Sequence, residues 1–414
     1  MYNKSVLGNG VRIVTEKIPH VYSVSVGIWV EAGSRGENQN TSGITHFIEH
    51  MLFKGTSRRA ALDIAREIES VGGIINAFTT KEYTFFYSKV LREQLSLAAD
   101  ILSDIFLNSL FEAEELEKER KVVTQEILMI EDNPEEYIHD YLSMNIWPGD
   151  PLGMPTQGTC DTLRAFTRED VVTYFREHFR NGGIIITAVG NLDHEEVVSL
   201  FSGLFESEEY RTCREEYTEP GKSRGNFVQS RDIEQAHLCL GLPAPGREDN
   251  TRYASFILNS ILGGGMSSRL FQEVREKRGL VYSVYSTLAS YRDTGMLKVY
   301  AGTTKECIPE LLSVVSGIFR NLREKPVTPD ELRNGKEQIK GNMLISLEST
   351  DFRLTRLASN EMYFRKYISP GEVAEKIDGV TLEDVLRLAE RILVTEDAVV
   401  TAIGKVEEKE VKFQ

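Results

Sequence analysis

Thr167-Arg168-Glu169-Asp170-Val171, followed by Thr187-Ala188-Val189-Gly190, returns later in the chain as Thr381-Leu382-Glu383-Asp384-Val385 and Thr401-Ala402-Ile403-Gly404. Both matches stand at an offset of 214 residues, with no gap between them. Chance rarely produces two such matches in register. Glu115-Leu116 and Glu331-Leu332 extend the correspondence at an offset of 216, the small change being absorbed in the preceding loop. Two copies of one α+β unit follow. For 414 residues, two domains of about 200 are a natural division, and 41% apolar content is ample for two cores. Residues 206–225 are charged, contain Pro220-Gly221 and lack apolar periodicity, so they read as the linker between domains at 1–205 and 226–414.

The first copy carries a stretch that the second does not. In Thr45-His46-Phe47-Ile48-Glu49-His50-Met51, a step of about 100° per residue puts Ile44, Phe47, Ile48, Met51 and Leu52 on one side of a helix. His46, Glu49 and His50 share the other side. Two imidazoles at i and i+4 can reach one zinc ion, and a carboxylate between them is placed to take a proton from a water at the metal. The competing reading is the ordinary polar face of an amphipathic helix.

A second helix bears on that choice. From Glu114 to Glu131, Leu116, Val123, Ile127 and Ile130 form an apolar stripe, with Val122 and Met129 bounding it. Glu119 and Glu126 lie between these groups, two turns apart, and project from nearly the same line. Carboxylates inside an apolar stripe are costly as ions unless something positive meets them. A metal would do so, and so would an Arg or Lys from a neighbouring helix. Together the two helices supply His, His and Glu with an open fourth position, the usual make-up of a catalytic zinc site.

His46-x-x-Glu49-His50, with Glu126 seventy-six residues after His50, resembles the inverted zinc motif of the pitrilysin-type metallopeptidases, the inverzincins. The longer run His46-Phe47-Ile48-Glu49-His50-Met51-Leu52-Phe53-Lys54-Gly55-Thr56 is similar to the processing-peptidase branch of that family, the β subunit of the mitochondrial enzyme and its bacterial relatives. The similarity continues through Gly72-Gly73, Asn76-Ala77 and Glu82-Tyr83-Thr84. The resemblance implies a zinc endopeptidase of two homologous α+β domains, each an α/β sandwich, that close like a clamshell on a short or unfolded peptide. It implies zinc on His46, His50 and Glu126, Glu49 as the base, and Glu119 as the residue that orients the ligands.

The same resemblance would set Asn76 and the Ala77 backbone on an edge strand beside the zinc, where a peptide adds as one more strand. Read by itself, Asn76 fits a turn or an edge equally well. In Arg275-Glu276-Lys277-Arg278-Gly279-Leu280-Val281-Tyr282, Arg275 and Tyr282 resemble the pair that family members bring across to the bound peptide, which implies substrate and oxyanion contacts. Without the resemblance, a solvated Arg and a core Tyr would be preferred. Bacterial relatives of this size imply a homodimer, and the mitochondrial enzyme a heterodimer. A silent core or partner subunit of such a complex is the alternative function, but those relatives usually lose motif residues and none is missing here.

Composition narrows the field separately. Forty-eight basic against 63 acidic residues give a net charge of −15, which argues against nucleic acid. No apolar run approaches the roughly 18 residues needed to span a membrane. The start, Met1-Tyr2-Asn3-Lys4-Ser5-Val6-Leu7, shows no apolar signal region and no Arg-rich presequence. Cys160, Cys213, Cys239 and Cys307 are scattered without a Cys-x-x-Cys, so neither a disulfide framework nor a thiolate metal site is suggested. A bacterial cytoplasmic location is expected.

Along the first half, the alternation of Ser23 to Val30 predicts a strand feeding the motif helix. Leu62 to Val71 reads as a helix stopped by Gly72-Gly73, and Ile74 to Phe78 and Tyr83 to Ser88 read as strands. Gln94 to Leu107 and a segment starting at Pro134 read as helices, and His139, His20, His178, His194 and His237 are given structural or surface roles. In the second copy, Phe256-Ile257-Leu258-Asn259-Ser260-Ile261-Leu262 stands where the motif would be and holds no ligand pair. Gly263-Gly264-Gly265 is followed by no Gly-Lys-Ser/Thr, so a turn is expected there in place of a phosphate loop.

Overall fold

Two sheets organise the computed structural model, which describes residues 1–205 and 217–413, and the sheets share one strand plan. The first holds β1 (Tyr2–Val6), β2 (Arg12–Lys17), β3 (Ser23–Val30), β4 (Ile74–Thr79), β5 (Thr84–Leu91) and β6 (Ile184–Gly190), in the order β1-β2-β6-β3-β5-β4. The second holds β7 (Gly225–Ser230), β8 (Ala236–Ala244), β9 (Val281–Ser290), β10 (Gly295–Thr303) and β11 (Val399–Gly404), in the order β7-β11-β8-β10-β9. One pair in each is parallel, β2 with β6 and β7 with β11, and every other neighbour is antiparallel. Without β1 the two orders coincide, which is the internal repeat expressed as topology.

Local chemistry explains why the repeated words recur. Thr167 and Thr381 cap the helices Arg168–Tyr174 and Leu382–Ile392, each accepting from the N–H of the Asp three residues on, whose carboxylate accepts from the Thr N–H in return. Gly190 and Gly404 end the matching strands β6 and β11 at φ 139° and 148°, a conformation that side chains resist. A Cβ at 190 would lie 2.3 Å from the Ser23 carbonyl oxygen.

The compact units are not continuous in sequence. One contains the described residues of Met1–Leu128, Pro155–Glu216 and Ser346–Tyr367; the other contains those of Met129–Met154, Tyr217–Ile345 and Ile368–Gln414. This corrects the expected halves, 1–205 and 226–414, because each half lends a helix to the other unit. The reason is that a sheet has two faces and both need cover. Each unit's own helices fill one face, forming the two large cores. On the remaining face of the first sheet lies the helix Thr350–Ser359, whose Leu354, Leu357 and Ala358 pack with Val14, Trp29, Ile185 and Val189. On that of the second lies Pro134–Ile146, whose Ile138, Leu142 and Ile146 pack with Cys239, Met296, Tyr300 and Ile403. Each such aliphatic side chain contributes on the order of 1.5–3 kcal/mol by leaving water.

Polar contacts hold the segment Asn360–Phe364 that follows the first lent helix. Arg12 sits between Glu31 and Glu361, Lys4 reaches Glu361 at 2.8 Å, and Tyr363 donates to Glu82 at 2.8 Å. Of the expected linker, residues 206–216 lie outside the described residues, as does Cys213. Cys160, Cys239 and Cys307 are free thiols. His139 bonds the Tyr285 hydroxyl at 3.1 Å inside the second unit. Among the described residues no helix is long and apolar enough to cross a membrane.

Candidate metal centre

The motif helix spans Ile44–Leu52 and the acidic helix Ala113–Asp132. Ile44, Phe47, Ile48, Met51 and Leu52 are buried as their spacing predicts, and so are Leu116, Val123 and Ile127, whereas Val122 and Met129 point to solvent. Burying one side of each helix turns His46, Glu49, His50, Glu119 and Glu126 toward common ground. His46 Nε2 lies 3.9 Å from Glu126 Oε1, and His50 Nε2 lies 3.7 Å from Glu126 Oε2. One donor atom from each of the three residues falls within 4.8 Å of the others. Tetrahedral zinc ligands at roughly 2.0–2.1 Å stand about 3.3 Å apart, so side-chain adjustments on the order of an ångström would complete the geometry, and the N, N, O donor set suits zinc.

The surrounding bonds select the donor atoms. His50 Nδ1 is 2.8 Å from Glu119 Oε1, which directs its proton there and leaves Nε2 with a lone pair toward Glu126. Glu119 is 3% exposed and also takes Lys54 Nζ at 2.5 Å. Burial opposes its charge, yet the bonds from His50 and Lys54 hold its carboxyl below the usual range. For His50 burial favours the neutral ring, but the Glu119 bond and the charges of Glu49, Glu119 and Glu126 carry its pKa up. His46 is pushed down to about 4 by burial and by His50, so its ring is neutral in ordinary solution. Its Nδ1 is buried with no partner, so its Nε2, facing Glu126, is the donor available to a metal.

Glu49 is buried beside these groups, and burial raises its carboxyl pKa against the lowering bonds from Thr79. Asn76 and Ala77 lie in β4, which is an edge strand, and the motif helix packs against that strand. The Asn76 side chain turns back to accept from the Ala77 N–H at 2.8 Å. Arg275 and Tyr282 stand together in the second unit, the guanidinium 5.5 Å from the ring centre, and Tyr282 is 80% exposed in place of the core position its type suggests. Gly263 has a packing role: a Cβ there would meet the Ser286 nitrogen at 2.5 Å.

Three residues at this centre carried no usable sequence signal. Lys54 is the cation at Glu119, so the salt bridge weighed against a metal is present as well as the cluster of donor atoms. Thr79 donates to Glu49 at 2.5 Å. Glu37 caps the motif helix from six residues away, accepting from Gly43 and Thr45 N–H at 2.8 and 2.9 Å, and burial pushes its carboxyl up to about 7. Only a cap within three residues of the helix start is readable as a local pattern.

Residues 12–160 match the family model for insulinase, peptidase family M16, and residues 165–339 match that for the peptidase M16 inactive domain. A Bacillus subtilis protein named an uncharacterized zinc protease is 40% identical over 398 residues, 96% of this chain and 96% of its own. A Streptomyces coelicolor protein of the same description is 38% identical, over 94% of this chain and 87% of its own. Among solved structures, a protease from Helicobacter pylori matches with a TM-score of 0.91 at 20% identity, over 98% of this chain and 99% of that one. A peptidase M16 inactive domain from Pseudomonas fluorescens matches with a TM-score of 0.90 at 19% identity, over 97% and 98%. These two likenesses speak to the fold.

Proposed function

The chain belongs to the insulinase, or M16, peptidase family, and from that premise we propose that it is a zinc-dependent endopeptidase acting on short or unfolded peptides. The convergence of donor atoms from His46, His50 and Glu126 beside Glu49 carries the reading. The cofactor is zinc. Bound by those three residues, it would supply a Lewis acid for the scissile carbonyl and for a water.

The remaining work falls to side chains. Glu119, held ionic by Lys54, keeps the His50 proton on Nδ1 and so keeps Nε2 a ligand. Glu49 takes the proton of the attacking water and gives it to the leaving amine; a carboxyl raised by burial suits both halves of that task. The peptide is laid along β4, where Asn76 and Ala77 offer main-chain groups at an open edge. To Arg275 and Tyr282 we assign contacts with the peptide and the developing oxyanion. A homodimer and a cytoplasmic location complete the proposal.

The test is metal analysis together with cleavage of a peptide library by the full chain expressed alone. About one zinc per chain and cleavage that disappears in Glu49→Gln are expected. A chain that holds zinc yet cuts nothing would be a silent subunit, and a chain that holds none would overturn the ligand assignment.

A further inference from the structure

Thr79 closes β4, and its hydroxyl reaches the Glu49 carboxylate. Its Oγ1 donates to Glu49 Oε2 at 2.5 Å. Asn76 and Ala77 stand three and two residues earlier on the same strand, so the groups offered to a peptide and the anchor of Glu49 belong to one short element.

That element is held fast at its Thr79 end. Thr84 faces Thr79 in the β4–β5 register and donates from Oγ1 to the Ala32 carbonyl at 2.8 Å. In the connecting turn, Thr80 N–H donates to the Tyr83 carbonyl at 2.8 Å and Thr80 Oγ1 to the same oxygen at 2.9 Å. The Thr80 and Lys81 carbonyls in turn accept from Ser34 and Arg35 N–H at 3.0 and 2.7 Å. Glu49, by contrast, has free torsions between its helix and its carboxylate, and freezing a side chain of that kind costs entropy unless bonds fix it. The Thr79 hydroxyl, on a rigid strand end, supplies such a bond to Oε2 and leaves the other carboxylate oxygen for a proton.

We propose that Thr79 is a positioning residue for the base: it fixes the Glu49 carboxylate in the frame of the strand on which the peptide is laid. The inference rests on the reading of Glu49 as the base and β4 as the peptide's edge. Register of the scissile bond and placement of the base are then set by one element, and misplacing a reacting group by about an ångström is enough to cost about 100-fold in rate. Losing Thr79 Oγ1 acts on turnover and not on peptide or metal capture, because Thr79 touches neither a ligand nitrogen nor the Asn76 and Ala77 groups.

The experiment compares Thr79→Val, Thr79→Ala and Thr79→Ser in the full chain, with Glu49→Gln alongside. A peptide cleaved by the unaltered chain gives kcat and KM; zinc content is measured separately, and crystal structures report the Glu49 carboxylate. Thr79→Val and Thr79→Ala should each lower kcat by about 10- to 100-fold with KM within about 2-fold and full zinc, and Thr79→Ser should recover to within about 3-fold. The Glu49 carboxylate should turn away from residue 79 in the two damaged variants. A kcat unchanged in both, a loss that Thr79→Ser shares, or a loss that follows zinc release overturns the inference. If Glu49→Gln is itself active, the assignment of the base fails; if Glu49→Gln is inactive while Thr79→Val runs at full rate, only the role of Thr79 fails.

Discussion

The helix Ile44–Leu52 in the first unit and Arg252–Gly263 in the second hold the same place in the strand plan, each following one of the matching strands β3 and β8 and packing on an edge strand, β4 or β9. Their buried sides correspond at an offset of 210: Ile44, Phe47, Ile48, Met51 and Leu52 against Ala254, Ile257, Leu258, Ile261 and Leu262. Their polar sides do not. Phe256, Asn259 and Ser260 stand where His46, Glu49 and His50 do. Yet the fastening persists in neutral form. Thr79 on β4 bonds Glu49, and Ser286 on β9 donates to Asn259 Oδ1 at 2.8 Å. His50 bonds Glu119 on the acidic helix, and Ser260 donates to Gln338 Oε1 at 2.6 Å on the helix Pro329–Ser346. Glu119 itself is matched, at the offset of 216, by Gly335.

The comparison separates what the fold requires from what the chemistry adds. A helix must be tied to its edge strand and to the next helix, and amides and hydroxyls do this at no cost in buried charge. Carboxylates and imidazoles in the same frame are costly to bury, as the rise at Glu49 and the fall at His46 register. Such a cost is met in the first unit and relieved in the second, as expected if only the first holds a cation.

The sharpest way to break this contrast is to remove matched residues. His50→Ala should strip zinc and all hydrolysis, while Ser260→Ala should leave both, losing only a neutral hydrogen bond of about 1 kcal/mol. Near-stoichiometric zinc in His50→Ala would end the ligand assignment. Next in size, Glu49→Gln should retain zinc and lower kcat by about 10²- to 10⁴-fold, whereas Asn259→Ala should stay within about 2-fold of the parent. Equal losses from the two would mean that the position fastens a helix and does not move a proton. Smaller again, Glu119→Gln should weaken zinc retention or turnover by about 10- to 100-fold, the usual effect of a group behind a ligand, and Gln338→Leu should do neither. A Glu119→Gln enzyme with unaltered zinc affinity and rate would return Glu119 to a plain ion pair with Lys54.

Particular residues show why the sequence disclosed some of this and not the rest. Thr167, Asp170 and Gly190 recur as Thr381, Asp384 and Gly404 because caps and positive-φ strand ends are local chemistry, so the repeat was legible without any long-range contact. Glu119 stood out because a carboxylate in an apolar stripe has to be explained. Helix periodicity says that Pro134–Ile146 buries one side, but not which sheet receives it, and the exchange of helices between units therefore left no mark in the pattern. Val122 and Met129 mislead for a similar reason: an apolar type permits burial without compelling it. Thr79 is one of two adjacent threonines, Thr79-Thr80, and only the register with Thr84 distinguishes which of them meets Glu49.

The smallest effect is expected where the two units agree. Thr167 Oγ1 is 3.2 Å from the Asp170 N–H and Thr381 Oγ1 is 3.1 Å from that of Asp384, while each Asp carboxylate accepts from its Thr N–H at 2.9 or 2.8 Å and from its hydroxyl at 2.7 Å. Thr167→Ala and Thr381→Ala should each destabilise by about 1 kcal/mol and leave zinc content and kcat untouched. The penalty should also depend on pH, and with one sign. Bonds from Thr hold the carboxyls of Asp170 and Asp384 below the usual range, so the stability they confer is present above the ordinary Asp pKa and is lost as pH falls through the lowered one. The cost of either substitution, followed by thermal unfolding, should accordingly shrink as pH drops below about 4. Both carboxylates are largely exposed, which keeps that pH-dependent part small. Equal penalties with equal pH dependence would show the repeat operating as one device used twice; a penalty in one unit alone would mean that the other helix is held by its packing, and that the shared words Thr-x-x-Asp have outlived their use there.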